Sequence, residues 1–146
     1  MVFETPQFEV SQLHQKQRPV VTSITGDPSG RLYFAIEGRG IAAFDPDKRT
    51  PLYIGTPTDV ARRSSSLQIR SLYTDAAGTV WYIAEHGVGT YDPSSGNFNR
   101  HEDLRYLEQL NCNDVLAVAE DLAGNFWFGT AAHGLFVFDR SSKSLD

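Results

Sequence analysis

The chain writes one pattern three times, and that repetition restricts its fold more than any other property. The segments DPSGRLYFAIEGRGIAAFDP from Asp27, DAAGTVWYIAEHGVGTYDP from Asp75 and DLAGNFWFGTAAHGLFVFDR from Asp121 each open with Asp-x-x-Gly. An apolar run follows, with an aromatic ring at its third position: Tyr33, Trp81 or Trp127. A second glycine comes next (Gly40, Gly87, Gly134), then an aromatic–Asp pair (Phe44-Asp45, Tyr91-Asp92, Phe138-Asp139). The second glycines and the closing Asp residues recur every 47 residues. A period of this size marks a repeat protein, so every residue has to be read against its two counterparts.

Within each unit the periodicity is that of short strands. Residues 20–25, 69–74 and 115–120 carry apolar positions with period two ahead of the Asp-x-x-Gly turn. That turn suits a tight hairpin, because Asp can accept bonds from its own backbone and Gly tolerates positive φ. Residues 31–36, 80–84 and 126–130 are apolar at almost every position, as expected for strands covered on both faces. The second glycine turns the chain into a third strand, and weaker fourth strands follow at 50–54 and 96–100. Asp103–Leu110 could form one or two helical turns in a connector, with Leu104, Leu107 and Leu110 on one side. The expected class is therefore all-β: β-propeller blades, three four-stranded antiparallel repeats of about 47 residues. Residues 1–19 make an N-terminal segment with one outer-strand-like stretch, and 20–146 hold the repeats (about 20–54, 69–100 and 115–146, with connectors).

Composition narrows the chemistry. The formal charge is −5 and no Lys/Arg-rich run occurs, which argues against a nucleic-acid partner. The single cysteine, Cys112, can form no internal disulfide and no Cys-based zinc site; it reads as a small apolar residue beside a turn. No apolar run approaches a membrane span, and the N-terminus lacks the apolar core of a signal peptide.

In a propeller, the connections between second and third strands emerge on the face that also carries the inter-blade loops. The residue before the second glycine there is Arg39, His86 or His133, with Glu37 and Glu85 beside them and Arg62, Arg63, His101 and Arg105 in the inter-blade loops. One long polar side chain per blade would form an arc able to bind an anionic or polyhydroxylated ligand; the plainer reading is a row of exposed turn residues. The histidines lack the close spacing of a metal site, Ser64-Ser65-Ser66 has no nucleophile elbow, and GRG and GVG precede no helix that would make a phosphate loop. No metal, cofactor or catalytic residue is assigned. Asp27, Asp75 and Asp121, and likewise Asp45, Asp92 and Asp139, read as turn-capping residues. Tyr33, Trp81 and Trp127 share a mid-strand position and are expected in the core between blades.

These residues resemble the two-component regulator propeller repeat, whose blades carry a D-x-x-G turn, a W-[IF]-G-T-type strand, a glycine pair and an apolar strand ending in aromatic–Asp. The third repeat fits best, through Asp121, Gly124, Trp127, Gly129, Thr130, Gly134 and Phe138-Asp139. The second keeps Trp81 but has Ile83-Ala84 for Gly-Thr, and the first has Tyr33 for Trp and Ala35-Ile36 for Gly-Thr. The family prefers a small residue where Arg39, His86 and His133 stand. The resemblance implies a non-enzymatic ligand-sensing or interaction module of a signal-transduction receptor, periplasmic or otherwise extracytoplasmic if it belongs to a sensor kinase and cytoplasmic otherwise. It also implies a glycan or other small polar ligand. A weaker similarity to streptogramin-lyase propellers implies the alternative, a lyase or hydrolase using a His/Glu pair such as His86 and Glu85 on the same face.

Closed propellers use about four to eight blades. Two arrangements would complete three: the remaining blades of a longer parent chain, or a homo-oligomer of two or three copies. In the oligomer, QFEVS (7–11) would supply the outer strand that the last blade is expected to lack.

Overall fold

The computed structural model describes residues 19–55, 68–85, 87–99, 107, 110 and 114–146. Twelve strands lie in this part of the chain. The first sheet holds β1 (Val21–Gly26), β2 (Leu32–Ile36), β3 (Gly40–Asp45) and β4 (Thr50–Gly55). The second holds β5 (Ile69–Thr74), β6 (Val80–Ala84), β7 (Gly87–Asp92) and β8 (Asn97–Asn99). The third holds β9 (Val115–Glu120), β10 (Phe126–Thr130), β11 (Leu135–Asp139) and β12 (Ser144–Leu145). Each sheet is an antiparallel meander in chain order, so each is one blade. Among the described residues no helix is long and apolar enough to cross a membrane.

The Asp-x-x-Gly hairpins explain why the same residues recur. Gly30, Gly78 and Gly124 sit at φ near +87°, +86° and +86°, a conformation that L side chains rarely adopt. Each donates its N–H to the carbonyl of its Asp at 2.9–3.0 Å. The Asp side chain then holds the rest of the turn. Asp75 Oδ1 accepts from Ala77 N (3.0 Å) and Thr79 N (2.9 Å), while Oδ2 accepts from Trp81 Nε1 (2.9 Å). Asp121 repeats the arrangement with Ala123 N, Asn125 N and Trp127 Nε1, and Asp27 repeats it with Ser29 N, Arg31 N and the Tyr33 hydroxyl. The ring six residues after the Asp therefore needs a polar hydrogen as well as bulk. Tyr and Trp supply one and Phe does not.

Two cores lie between the blades. Tyr33, Ala35, Ile41 and Ala43 of the first blade pack on Ile69, Leu72, Val80, Tyr82, Ala84 and Tyr91 of the second. Trp81 and Ile83, on the opposite face of that second blade, pack on Val115, Phe126, Phe128 and Phe138 of the third. All five residues of β6 are buried as a result, which is why its sequence, VWYIA, shows no alternation. At the inner strands, the Thr22 hydroxyl donates to Ile69 O (2.8 Å), and Ser23 Oγ accepts from Leu72 N (2.9 Å). The second joint is tied by Glu120, whose Oε2 accepts from Ala76 N (3.1 Å) and the Tyr73 hydroxyl (3.3 Å).

Two expectations change. The last blade does not lack its outer strand: Phe138 pairs with Leu145 and Asp139 with Ser144, and Val137 and Asp146 exchange backbone hydrogen bonds at 2.8 and 2.9 Å. Two residues with no alternation carry no strand signal of their own, and the pairing comes from the neighbouring edge of β11. Trp127 does not share the burial of Tyr33 and Trp81, because its side of β10 faces away from the second blade. Of the proposed helical connector, Leu107 and Leu110 are described. They share one i→i+3 bond (Leu110 N to Leu107 O, 3.0 Å), and both side chains enter the second core. The stretch QFEVS, Cys112, Arg62, Arg63, Ser64–Ser66, His101 and Arg105 lie outside the described residues.

Candidate functional site

The β2–β3, β6–β7 and β10–β11 turns are pinned in the same way in all three blades. Glu37 N donates to Val20 O (2.9 Å), Glu85 N to Gln68 O (3.3 Å) and Ala131 N to Asp114 O (2.9 Å). Each acceptor stands seven residues before the Asp of its Asp-x-x-Gly turn, at or just before the start of the inner strand. Because β5 lies against both β1 and β9, the three turns fall along one end of the blade array.

The first turn carries Glu37 and Arg39. Glu37 is exposed and Arg39 half-buried. Arg39 N donates to Ile36 O (3.0 Å), its carbonyl accepts from the Tyr53 hydroxyl, and the flanking Gly38 and Gly40 both have positive φ. The backbone of Arg39 is thus fixed on both sides. The second turn carries Glu85, half-buried; its neighbour His86 lies outside the described residues. The third carries His133, whose side chain is 60% exposed.

His133 has a defined chemical partner. Its Nδ1 lies 2.5 Å from Asp114 Oδ2. The same carboxylate oxygen accepts from Ala132 N (3.2 Å), and the turn is closed by the Thr130 hydroxyl donating to Gly134 O (2.8 Å) and His133 N donating to Thr130 Oγ1 (3.1 Å). The imidazole beside Asp114 holds that carboxyl below its ordinary value of 3.8. Sequence reasoning missed Asp114. Its signal was positional: the counterparts Val20 and Gln68 carry no charge, and an acid at that register faces the turn that holds His133. On this blade the acid next to the histidine is therefore an Asp from the inner strand; Ala131 stands where the other two turns have Glu.

Arg39, Glu37, Glu85 and His133 thus sit at equivalent turns, a blade apart, and the pair the structure brings together is His133 with Asp114. At the opposite end of the blades the acids serve the turns. Asp92 accepts from Ser94 N and from the Ser94 and Ser95 hydroxyls, Asp139 from Ser141 N, Ser142 N and the Ser141 hydroxyl, and Asp45 from Asp47 N and Lys48 N. Among the described residues no three His, Cys, Asp or Glu side chains cluster closely enough to hold a metal ion.

These carboxylates give the fold an acid sensitivity with a definite sign. The Ser141 hydroxyl and nearby N–H groups pull Asp139 from 3.8 down to about 2. The Ser94 hydroxyl lowers Asp92, and the Trp127 indole lowers Asp121. At Asp27 burial opposes ionisation but is outweighed by bonds from the Ser29 hydroxyl, Arg31 N and the Tyr33 hydroxyl. A folded value below the unfolded one adds stability that is complete above the unfolded value and is lost as pH falls through the folded one. The urea midpoint is therefore expected to stay level above about pH 5 and to fall steadily between about pH 4 and 2. A midpoint that rises on acidification in that window would contradict the assignment.

The architecture is that of a β-propeller repeat protein with a polar turn face. No family model and no curated protein matches the chain. Solved structures do. The extracellular domain of a one component system from B. thetaiotaomicron matches with a TM-score of 0.63 and 23% identity, over 86% of this chain and 16% of that one. The extracellular domain of a hybrid two component system from B. thetaiotaomicron matches with a TM-score of 0.60 and 21% identity over the same shares. Virginiamycin B lyase from Staphylococcus aureus matches with a TM-score of 0.56 and 14% identity, over 83% of this chain and 38% of the lyase. At these identities the likeness establishes the fold, three blades of a β-propeller. The first two neighbours come from the class of protein to which the repeat resemblance points. The chain spans about a sixth of their length.

Proposed function

We propose that the chain is a non-enzymatic sensing or interaction module of an extracytoplasmic signal-transduction receptor, taking a small polar ligand such as a glycan at the β2–β3-type turns. The observation that carries this reading is the separation of roles along each blade. The acids at the Asp-x-x-Gly end and after the third strands cap their own turns, whereas Glu37, Arg39, Glu85 and His133 stand on turns at the other end of the blades that are held through backbone N–H groups. Rigid turns that present charged and hydrogen-bonding side chains are what recognition of hydroxyl-rich ligands needs. The likeness to extracellular domains of one- and two-component systems supports the same direction.

The His133–Asp114 pair supports a second reading, a lyase or hydrolase in which the carboxylate orients the imidazole as a general base. The two readings separate in one assay. In a thermal-shift screen with neutral and uronic-acid-containing oligosaccharides, the module is expected to gain several degrees with one class and to leave it chemically intact. Arg39→Ala and His133→Ala are each expected to cut that gain by at least half while the ligand-free melting point moves by no more than about 2 °C. Shortened oligosaccharide recovered after incubation would favour the enzyme, and shifts unchanged in both variants would sink this face as the site.

A further inference from the structure

Each inner strand carries one residue more than the strand it pairs with, and at the same place. Val21 and Ser23 pair with consecutive residues of β2, Ile69 and Ser71 with consecutive residues of β6, and Val115 and Ala117 with consecutive residues of β10. Thr22, Arg70 and Leu116 are therefore the extra residues of three equivalent β-bulges, each the second residue of its strand and so at the turn end of the blades. The bulge has a packing consequence. Ile69 and Leu72, three residues apart, both enter the first core, which a strand with strictly alternating sides does not allow. The extra side chain is left outside that alternation. In the first blade it is a short one, and the Thr22 hydroxyl donates to Ile69 O of the next blade at 2.8 Å. In the second blade it is Arg70, which is exposed and with which no described residue makes a side-chain hydrogen bond or ion pair. That exposure does not arise at an end of the array, because β5 has β1 on one side and β9 on the other. Of the acids at this end, Asp114 is engaged by His133, and neither Glu37 nor Glu85 forms an ion pair with Arg70.

We propose that Arg70 is a ligand-binding residue and that the group it takes is a carboxylate, as carried by a uronic-acid sugar. The proposal rests on the reading of the β2–β3-type turns as the recognition end, and adds to it a contact from the inner strand. A guanidinium only donates, and its paired N–H groups match the two oxygens of a carboxylate in spacing and charge. Bulges re-aim side chains beside binding sites. Of the three bulge residues, Arg70 alone carries a charge, and it stands on the blade that is flanked on both sides.

Calorimetric titration of the intact chain with a galacturonic acid tetramer and with its methyl ester tests this, since the ester keeps the sugar and removes the charge. The acid is expected to bind about tenfold more tightly than the ester. Arg70→Ala is expected to remove that difference and leave the affinity for the ester unchanged, and Arg70→Lys, which keeps the charge without the fork, to restore part of it. In the wild-type chain, the Arg70 Nε–H resonance, assigned by its absence from the Arg70→Lys spectrum, is expected to move with the acid and not with the ester; this reading stands even if a variant unfolds. Equal affinity for acid and ester, a folded Arg70→Ala chain that still prefers the acid, or an unmoved Nε–H resonance overturns the proposal. Ester binding that depends on Arg39 and His133 but not on Arg70 would do so while the turn-end reading stands. Binding of neither sugar also overturns it, and the turn-end reading is then decided by the wider oligosaccharide screen.

Discussion

Phe126→Ala is expected to lower the unfolding free energy by about 4 kcal/mol, the largest effect of any single truncation considered. Phe126 is 1% exposed at the centre of the second inter-blade core. Its ring meets Trp81 edge-on with centroids 4.7 Å apart, and it lies 6.0 Å from Tyr73 and 6.4 Å from Phe128. The Arg140 guanidinium covers it at 5.0 Å. Truncation to Ala removes the burial of a whole ring and leaves a cavity that four neighbours cannot fill without moving. Phe126→Leu keeps most of the volume and is expected to cost about 1.5 kcal/mol. Urea unfolding followed by tryptophan fluorescence reads both, since Trp81 forms one wall of the cavity. Equal losses for Ala and Leu would mean that ring volume is not what the joint requires.

Asp75→Ala is expected to cost about 3 kcal/mol, and its repeat counterpart Asp121→Ala clearly less. Both carboxylates accept two turn N–H bonds and one indole N–H bond. The difference is solvent. Asp75 and Trp81 are both buried, so removing the acceptor strands donors that water cannot reach, whereas Trp127 is open to water that can replace the lost bond. In melting experiments the Asp75 loss corresponds to roughly 10 °C for a chain of this size, and the Asp121 variant is expected to shift by much less. Equal shifts would show that the clamp acts only within its own turn, independent of the joint.

Most of the fold was legible because repetition averages out local ambiguity. The bounds of β5, β6, β9, β10 and β11 coincide with the apolar runs read from the sequence, and the turn role of all six repeated Asp residues follows from their placement. What escaped was set by neighbours. β12 has no strand pattern and exists because β11 offers an edge. Trp127 carries the same sequence signal as Trp81 and differs only in what lies across from it. The candidate turns were legible as positions, since Arg39, His86 and His133 stand where the repeat prefers a small residue. Asp114 was not, because its contact with His133 joins the residue before β9 to the β10–β11 turn, 19 residues on in sequence.

The central claim is that recognition belongs to the β2–β3-type turns while the strands and the Asp-x-x-Gly end are scaffold. Amide NMR spectra recorded during titration with the oligosaccharide that gives the largest thermal shift test it most directly. The predicted result is perturbation concentrated at Glu37–Arg39, Glu85, Asp114 and Ala131–His133, with the N–H groups of Gly30, Gly78 and Gly124 unmoved. Perturbations centred on those three glycines, or on the exposed face around Trp127 and Leu135, would contradict it.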